Sequence, residues 1–465
     1  MNIDKIKKDK RVKKAKQLLR SAIKDHQRAI TGLKNPDKSL VKNYAALVKK
    51  SADLRGRGLY YPYISSGLGR GALVKLADGS VKYDFITGIG VFYMGHSNLK
   101  LMEASVDAAL EDTLMQGNLQ QSSIAVEVLD RFVHLACRRG AKLTHGFLSS
   151  SGAMANENAF KIIFQKHSPA DRFLAFERCF SGRTMIMAQV TDNPGHRVGL
   201  PKVLNVDYVP FYDARRYKES TRRAADCLKK HIRKHPGKHA GMIMELVQGE
   251  GGYYAGCREF FLALIKILKK NNIAVMFDEI QTFGRTTEAF AFQYFGLDKY
   301  ADVVSVGKLT QACATLFTDQ YNPKEGLISQ TFAASTSAMY AAKVILEDLK
   351  DGGLLGKKGK VARLSDHFRN RLQEIAKRHP QILEGPFGLG AMIGMTAFKG
   401  SPEHNKIFLQ TLFRNGVMAF QAGRNPTRVR FLIPVAAVTA KDIDVAGKVI
   451  EHTLIEVNQK IGKKL

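Results

Sequence analysis

Asp278 and Lys308 each follow a short apolar run, AVMF before the first and VVSVG before the second. Runs of this kind, bounded by turns, read as strands buried in a parallel sheet, and open α/β sheets bind ligands outside the carboxyl ends of such strands. A buried carboxylate can keep a heterocyclic nitrogen protonated. A buried lysine loses its own proton more readily and becomes a nucleophile. Taken alone, either residue reads more readily as an ordinary strand-end polar group facing solvent. Three further segments follow predicted strands. Ser149-Ser150-Ser151-Gly152-Ala153 presents backbone N–H groups at a helix start, a natural phosphate cradle, although no Lys-Ser/Thr follows and it is no P-loop. Glu245-Leu246-Val247-Gln248-Gly249-Glu250-Gly251-Gly252 sets two acids and three glycines after a strand. Cys179-Phe180-Ser181-Gly182-Arg183-Thr184 adds an aromatic face and a guanidinium. A phosphate cradle, an aromatic plate, a buried carboxylate and a strand-end lysine are what pyridoxal 5'-phosphate requires.

Strand–helix alternation positions these groups from His145 onward, the pattern of a parallel α/β sheet. Strands are predicted at Gly146–Leu148, Phe173–Phe176, Val203–Val209, Met242–Leu246, Ala274–Phe277, Val303–Val306 and Ala314–Thr318. Helices are predicted at Ala153–Gln165, Ala214–Lys234, Cys257–Lys270 and Ser335–Leu349. Ahead of them, Asp78-Gly79 between Leu73–Leu76 and Val81–Phe85 is a hairpin signal, and helices follow over Leu99–Leu114 and Ser123–Arg139. Later come a helix Lys358–Arg378, Gly-rich strands in GPFGLGAMIGMTAF, a helix near His404–Arg414, strands near Val417–Phe420 and Val429–Ile433, and a closing helix Ala440–Ile461. The expected fold is α/β, a mostly parallel central sheet with a smaller α/β domain. Its expected parts are a basic helical extension (1–57), the N-terminal part of the small domain (58–98), a large cofactor-binding domain (99–350) and the C-terminal small domain (351–465).

At 45% hydrophobic and 25% charged residues, the chain has an ordinary globular composition, and no apolar run is long enough to span a bilayer. MNIDKIKKDKRVKKAK has no apolar segment behind its charges and does not read as a secretory signal. The five cysteines lack CxxC spacing, which disfavours a zinc site or a disulfide framework and makes a cytoplasmic setting the expectation. The net charge is +30; residues 1–57 hold 18 Lys/Arg against 5 Asp, a net of +13, leaving 54 basic and 37 acidic residues, +17, elsewhere. Leu18, Leu19, Ile23 and Ile30 give this arm an intermittent apolar stripe. A nucleic-acid or membrane partner for it competes with a solvated basic helix, and the absence of aromatic residues in its first forty positions favours the solvated helix.

ADGSVKYDFITGIGVFYMGHSN, SSGAMANENAFK, CFSGRT, ELVQGEGG, FDEIQTFGRT, VGK and RVRFLIP together resemble the class III aminotransferases of fold type I, over roughly Gly71 to Thr439. The resemblance implies Lys308 as the Schiff-base lysine, Asp278 as partner of the pyridine nitrogen and Gln281 beside the phenolic oxygen. It implies Gly152 and Ala153 at the phosphate, helped by Thr331 of a neighbouring subunit in a homodimer, and Phe180 stacked on the ring. For the substrate it implies Arg430 on the α-carboxylate, Glu250 masking that arginine from ω-amino donors, and Arg183 for a second carboxylate. Glu245 stands at the same rim, and Tyr60 or Tyr61 lines the pocket. The implied reaction moves an amino group from an ω-amino or diamino acid to a 2-oxo acid such as 2-oxoglutarate. An aminomutase or racemase on the same scaffold is the competing enzyme class, and a fold-retaining binding protein the competitor outside enzymes. Met154, Ser181, Leu246, the shortened Thr282–Arg285 turn and Leu309–Ala314 depart from the family pattern and put the substrate, rather than the cofactor contacts, in question.

Overall fold

The computed structural model describes residues 3–462; the outermost positions of the expected N- and C-terminal parts, 1–2 and 463–465, lie outside the described residues. The chain forms two compact units. One takes Glu111–Val361 with Gly388–Gly390; the other takes the described part of Met1–Leu110, Ala362–Phe387 and Ala391–Leu465.

The first unit is built on seven strands: β1 (His145–Ser149), β2 (Arg172–Phe176), β3 (Asn205–Val209), β4 (His239–Met244), β5 (Ala274–Glu279), β6 (Val303–Val306) and β7 (Cys313–Phe317). Their order across the sheet is β1-β7-β6-β5-β4-β2-β3. Strands β6, β5, β4, β2 and β3 run parallel, while β7 is antiparallel to both of its neighbours. Every residue of β4, β5 and β6 is buried, so these strands read as predominantly apolar runs rather than as alternation. Helix Gly152–Lys166 buries Ala159, Phe160, Ile162 and Ile163 in the same cluster as Phe173, Ile243, Met276 and Val303. The rings of Phe160 and Phe173 stack with centroids 3.8 Å apart.

Because β7 reverses against β6, with Val306 opposite Ala314, the six residues 307–312 between the strands form a hairpin turn. Lys308 lies in that turn, at φ 61°, and Gln311 follows at φ 63°. Residues other than glycine reach this left-handed region only when their surroundings hold them there.

The helix expected to run from Leu99 to Leu114 stops at Ala109. Glu111 and Asp112 would put acids at the negative end of the helix dipole. Met115–Gln116 instead pairs with Ala334–Ser335.

In the second unit the expected hairpin forms: Leu73–Leu76 pairs antiparallel with Val81–Asp84, and Gly79 takes φ 80° in the turn. The expected strand Val417–Phe420 is divided. Val417–Met418 runs parallel to Val81–Asp84, and Phe420–Ala422 joins Arg428–Leu432 in another sheet. The break falls at Ala419, whose carbonyl accepts the Tyr61 hydroxyl at 2.8 Å.

The N-terminal arm is helical over Ile3–Lys8 and Lys10–Gln27, but its apolar stripe is not the docking face. Leu18 and Leu19 are 59% and 44% exposed, and of that stripe only Ile30 is fully buried. The helix is held by polar contacts: Lys16 to Asp107 at 2.5 Å, Arg20 to Glu103 at 2.7 Å, and the Gln27 amide on the Gly69 and Ser97 carbonyls at 2.9 Å each. Among the described residues no helix is long and apolar enough to cross a membrane.

Candidate active site

At the carboxyl end of β5, Asp278 is buried and held on both oxygens. Asn156 Nδ2 donates to Oδ2 at 2.9 Å, and the Ile280 N–H donates to Oδ1 at 3.0 Å. Burial raises the Asp278 pKa; the Asn156 and Ile280 hydrogen bonds and the charge of Lys308 oppose that rise. Asn156 Nδ2 also lies 2.9 Å from the Ser181 carbonyl, so one amide ties a helix, a strand end and a loop together. Sequence reasoning missed Asn156. Its signal was position: four residues beyond Gly152 it shares the helix face that carries the cradle. The next residue, Glu279, was missed as well. Its carboxylate accepts from the Ala291 and Phe292 N–H groups at 3.0 and 2.8 Å and from the Thr282 hydroxyl, and burial pushes its pKa up to about 7. The shortened Thr282–Arg285 turn folds around this acid.

Glu245, just past β4, joins two loops. Oε2 accepts from the Phe180 N–H at 2.9 Å and Oε1 from the Gly249 N–H at 3.0 Å. Burial, and then the nearby Asp278 charge, pushes its pKa up to about 8. Gly249 lies against Gln281: a Cβ on it would stand 2.5 Å from Gln281 Oε1. That oxygen is buried with no hydrogen-bond partner. Gly182, at φ 135°, packs so closely on the cradle that a Cβ there would be 2.7 Å from the Ala153 Cβ. A Cβ on Gly152 would be 2.8 Å from Ile280 Cγ2. Ser151 caps the helix, its hydroxyl accepting from the Met154 N–H at 3.3 Å and its carbonyl from the Ala155 N–H at 3.0 Å. The N–H groups of Gly152 and Ala153 remain as first-turn donors with no intrahelical acceptor.

The structure thus gathers Gly152, Ala153, Phe180, Glu245, Asp278, Gln281 and Lys308 around the ends of β4, β5 and β6. Phe180 is half-buried, its ring edge-on to that of His196. Glu250 is half-buried in the loop that Glu245 anchors, and Arg183 is exposed. Thr331 is exposed beside Gly117, outside this hydrogen-bonded cluster.

In the other unit, Arg430 is fully buried on Arg428–Leu432, opposite Gly394 and Phe420. Its guanidinium lies 5.6 Å from the Phe420 ring centre, and the Tyr60 ring packs on Phe420 at 4.7 Å. The two tyrosines separate here. Tyr61 gives its hydroxyl to Ala419 and stacks on Phe413 at 4.7 Å, a structural post. The Tyr60 hydroxyl is buried with no hydrogen-bond partner, and burial pushes its pKa up to about 12.

The large, mostly parallel seven-stranded sheet, with a second α/β unit in the same chain, is the architecture of the fold type I transferases. Residues 62–454 match the family described as Aminotransferase class-III, and the chain belongs to that family of pyridoxal-phosphate enzymes. Acetylornithine aminotransferase of Bacillus anthracis is 27% identical over 405 residues, covering 84% of this chain and 95% of that protein. Mitochondrial acetylornithine aminotransferase of Saccharomyces cerevisiae is 28% identical over 390 residues, 80% of this chain and 87% of that protein. Among solved structures, lysine aminotransferase from M. tuberculosis shares the fold with a TM-score of 0.77 at 22% identity, over 88% of this chain and 99% of that one.

Proposed function

We propose that this enzyme transfers the amino group of an ω-amino or diamino acid to a 2-oxo acid, 2-oxoglutarate first among them, with pyridoxal 5'-phosphate as carrier. The observation that carries the reading is the opposition of Asp278 at the end of β5 and Lys308 in the β6–β7 turn. Two features suit this cofactor. Burial raises the Asp278 pKa despite the charge of Lys308, and a protonated pyridine nitrogen would add a further counter-charge; the buried, partnerless Gln281 Oε1 would accept from a ring hydroxyl. When bound, the cofactor supplies an electron sink and carries the amino group from donor to acceptor.

The chain's own residues then divide the work. Asp278 keeps the ring nitrogen protonated, and Asn156 keeps Asp278 aimed. Gly152 and Ala153 hold the phosphate through their N–H groups. Phe180, fixed through its N–H by Glu245, covers the ring. Lys308 Nζ would hold the cofactor and would move the proton at the amine-bearing carbon of the donor. Arg430 receives a substrate carboxylate as a bidentate fork, Tyr60 lines that end, and Glu250 tunes which donors the arginine accepts. Arg183 serves a second carboxylate. The ω-amino or diamino class rests on the resemblance to acetylornithine and lysine aminotransferases.

The working unit in this reading is a homodimer. Leu119 is 99% exposed, and Leu114 and Phe332 are also open beside the Thr331 segment, an apolar surface suited to a second copy whose cradle Thr331 would complete. Five free cysteines suit the reducing cytoplasm.

A donor screen with 2-oxoglutarate tests the function: 4-aminobutyrate, ornithine, N-acetylornithine and lysine each offered in turn, with glutamate formation measured. Turnover with at least one of them, lost in Lys308→Ala, is expected. Full turnover in Lys308→Ala, or amine migration within the donor without any 2-oxo acid, would overturn it.

A further inference from the structure

Helix Tyr217–Lys234 follows β3 and has no part in the chemistry above. Its inner side buries Ser220, Ala224 and Leu228. The outer side is predominantly cationic: between Asp213 and Lys238 ten Lys/Arg stand against three Asp/Glu, a net of +7. At about 100° per residue, Lys218, Arg222, Lys229 and Arg233 fall within one stripe about 60° wide, with Arg223 and Lys230 on its flank. All six are exposed. Asp226, 3.6 Å from Lys229, offsets one of them. Lys218 with Arg222, and Lys229 with Arg233, are like charges at i,i+4, a spacing that destabilises a helix. Glu219 and Asp226 are exposed on the same face and offset part of that repulsion, which leaves a predominantly cationic surface whose net charge indicates an anionic partner.

From these features we infer that this helix is a docking surface for the phosphate backbone of double-stranded nucleic acid. Over sixteen residues at a rise of about 1.5 Å the face is a straight rod roughly 24 Å long. Duplex carries one negative charge per about 1.7 Å of axis, so such a rod spans more phosphates than it has cations. No Phe, Tyr or Trp lies between Lys218 and Lys234, which removes the stacking platforms that single strands need. Beyond Tyr217 at its first turn, the helix exposes no large apolar side chain, so nothing is available to enter a lipid surface. The N-terminal arm differs in this respect, because Leu18 and Leu19 are exposed among its lysines. Contact through phosphates alone predicts binding without sequence preference and with steep salt dependence.

The test uses the full-length enzyme with its cofactor and a labelled 24-base-pair duplex of arbitrary sequence, titrated between 50 and 200 mM salt. Four phosphate contacts would give a slope of log K against log salt of about −3.6. The quadruple variant Arg222→Glu, Arg223→Glu, Lys230→Glu, Arg233→Glu should bind at least tenfold more weakly at 50 mM salt and lose most of that slope. Transaminase turnover should stay at the parental level, which reports that the variant is folded. A second variant, Lys10→Gln, Lys13→Gln, Lys14→Gln, Lys24→Gln, should bind duplex as the parent does. A single-stranded oligonucleotide and vesicles of phosphatidylserine with phosphatidylcholine should bind less well than duplex. Parental affinity in the helix variant, loss of binding in the arm variant alone, tighter binding to the vesicles, or no duplex binding at 50 mM salt would each overturn the inference.

Discussion

Asn156 Nδ2 stands 2.9 Å from Asp278 Oδ2 across 122 residues of chain, and the same amide nitrogen reaches the Ser181 carbonyl at 2.9 Å. The amide aims the carboxylate and favours its ionised form, the form a pyridinium partner needs. Asn156→Ala should therefore weaken cofactor binding and lower kcat by about ten- to a hundredfold, the effect of about 1–3 kcal/mol lost at a buried charge. Asn156→Asp should be worse, because it sets a second carboxylate beside the first. Cofactor titration followed by protein fluorescence checks this, since a merely structural role would move Tm and leave cofactor affinity in place.

Glycine at position 182 is required twice over. Its φ of 135° is strained for any side chain, and a Cβ would lie 2.7 Å from that of Ala153. Gly182→Ala should destabilise the protein by about 1–3 kcal/mol. Gly152→Ala should cost less, because its close neighbour is the flexible Ile280 side chain. Urea unfolding of both variants orders them, and an equal or reversed order would contradict the tight approach of the loop to the helix.

Glu245 gives the cofactor-free protein a pH signature. Its folded pKa of about 8 lies above the ordinary carboxyl value, so its contribution to stability is complete in acid and is lost as pH rises through 8. Glu279, raised to about 7, acts in the same direction. Unfolding free energies of the parent and Glu245→Gln, compared between pH 5 and 9, should move in the variant's favour as pH rises. A difference that stays flat with pH would show that Glu245 ionises normally.

Glu250 is proposed to decide which donors reach Arg430. Glu250→Ala should raise kcat/KM for α-amino donors relative to ω-amino donors by about tenfold, equivalent to about 1.4 kcal/mol. Steady-state kinetics on glutamate and 4-aminobutyrate measures the ratio, and an unchanged ratio would remove Glu250 from that role.

Much of the fold was legible in the chain. The predominantly apolar runs of β4, β5 and β6 reflect burial on both faces, and that burial is written largely in residue type. The strand-to-helix alternation follows from the same periodicities, and the positions of Asp278, Lys308, Glu245 and Gly152 at element ends follow in turn. Less legible was anything that depends on a partner distant in sequence. The apolar stripe of the arm helix is a correct reading of residue types, yet Lys16 and Arg20 dock that helix through Asp107 and Glu103 while Leu18 and Leu19 remain in solvent.

By itself, then, the sequence determined the chemical inventory and the strands that carry it, because periodicity and turn residues act locally. Only the tertiary structure decided that β7 runs against its neighbours and bends Lys308 into a hairpin turn at φ 61°. It also decided that Asn156 aims Asp278, and that Tyr61 is committed to Ala419 while Tyr60 accompanies Arg430. Each of these depends on which hydrogen-bonding groups meet across long stretches of chain, and residue type fixes a group's need for a partner without specifying the partner.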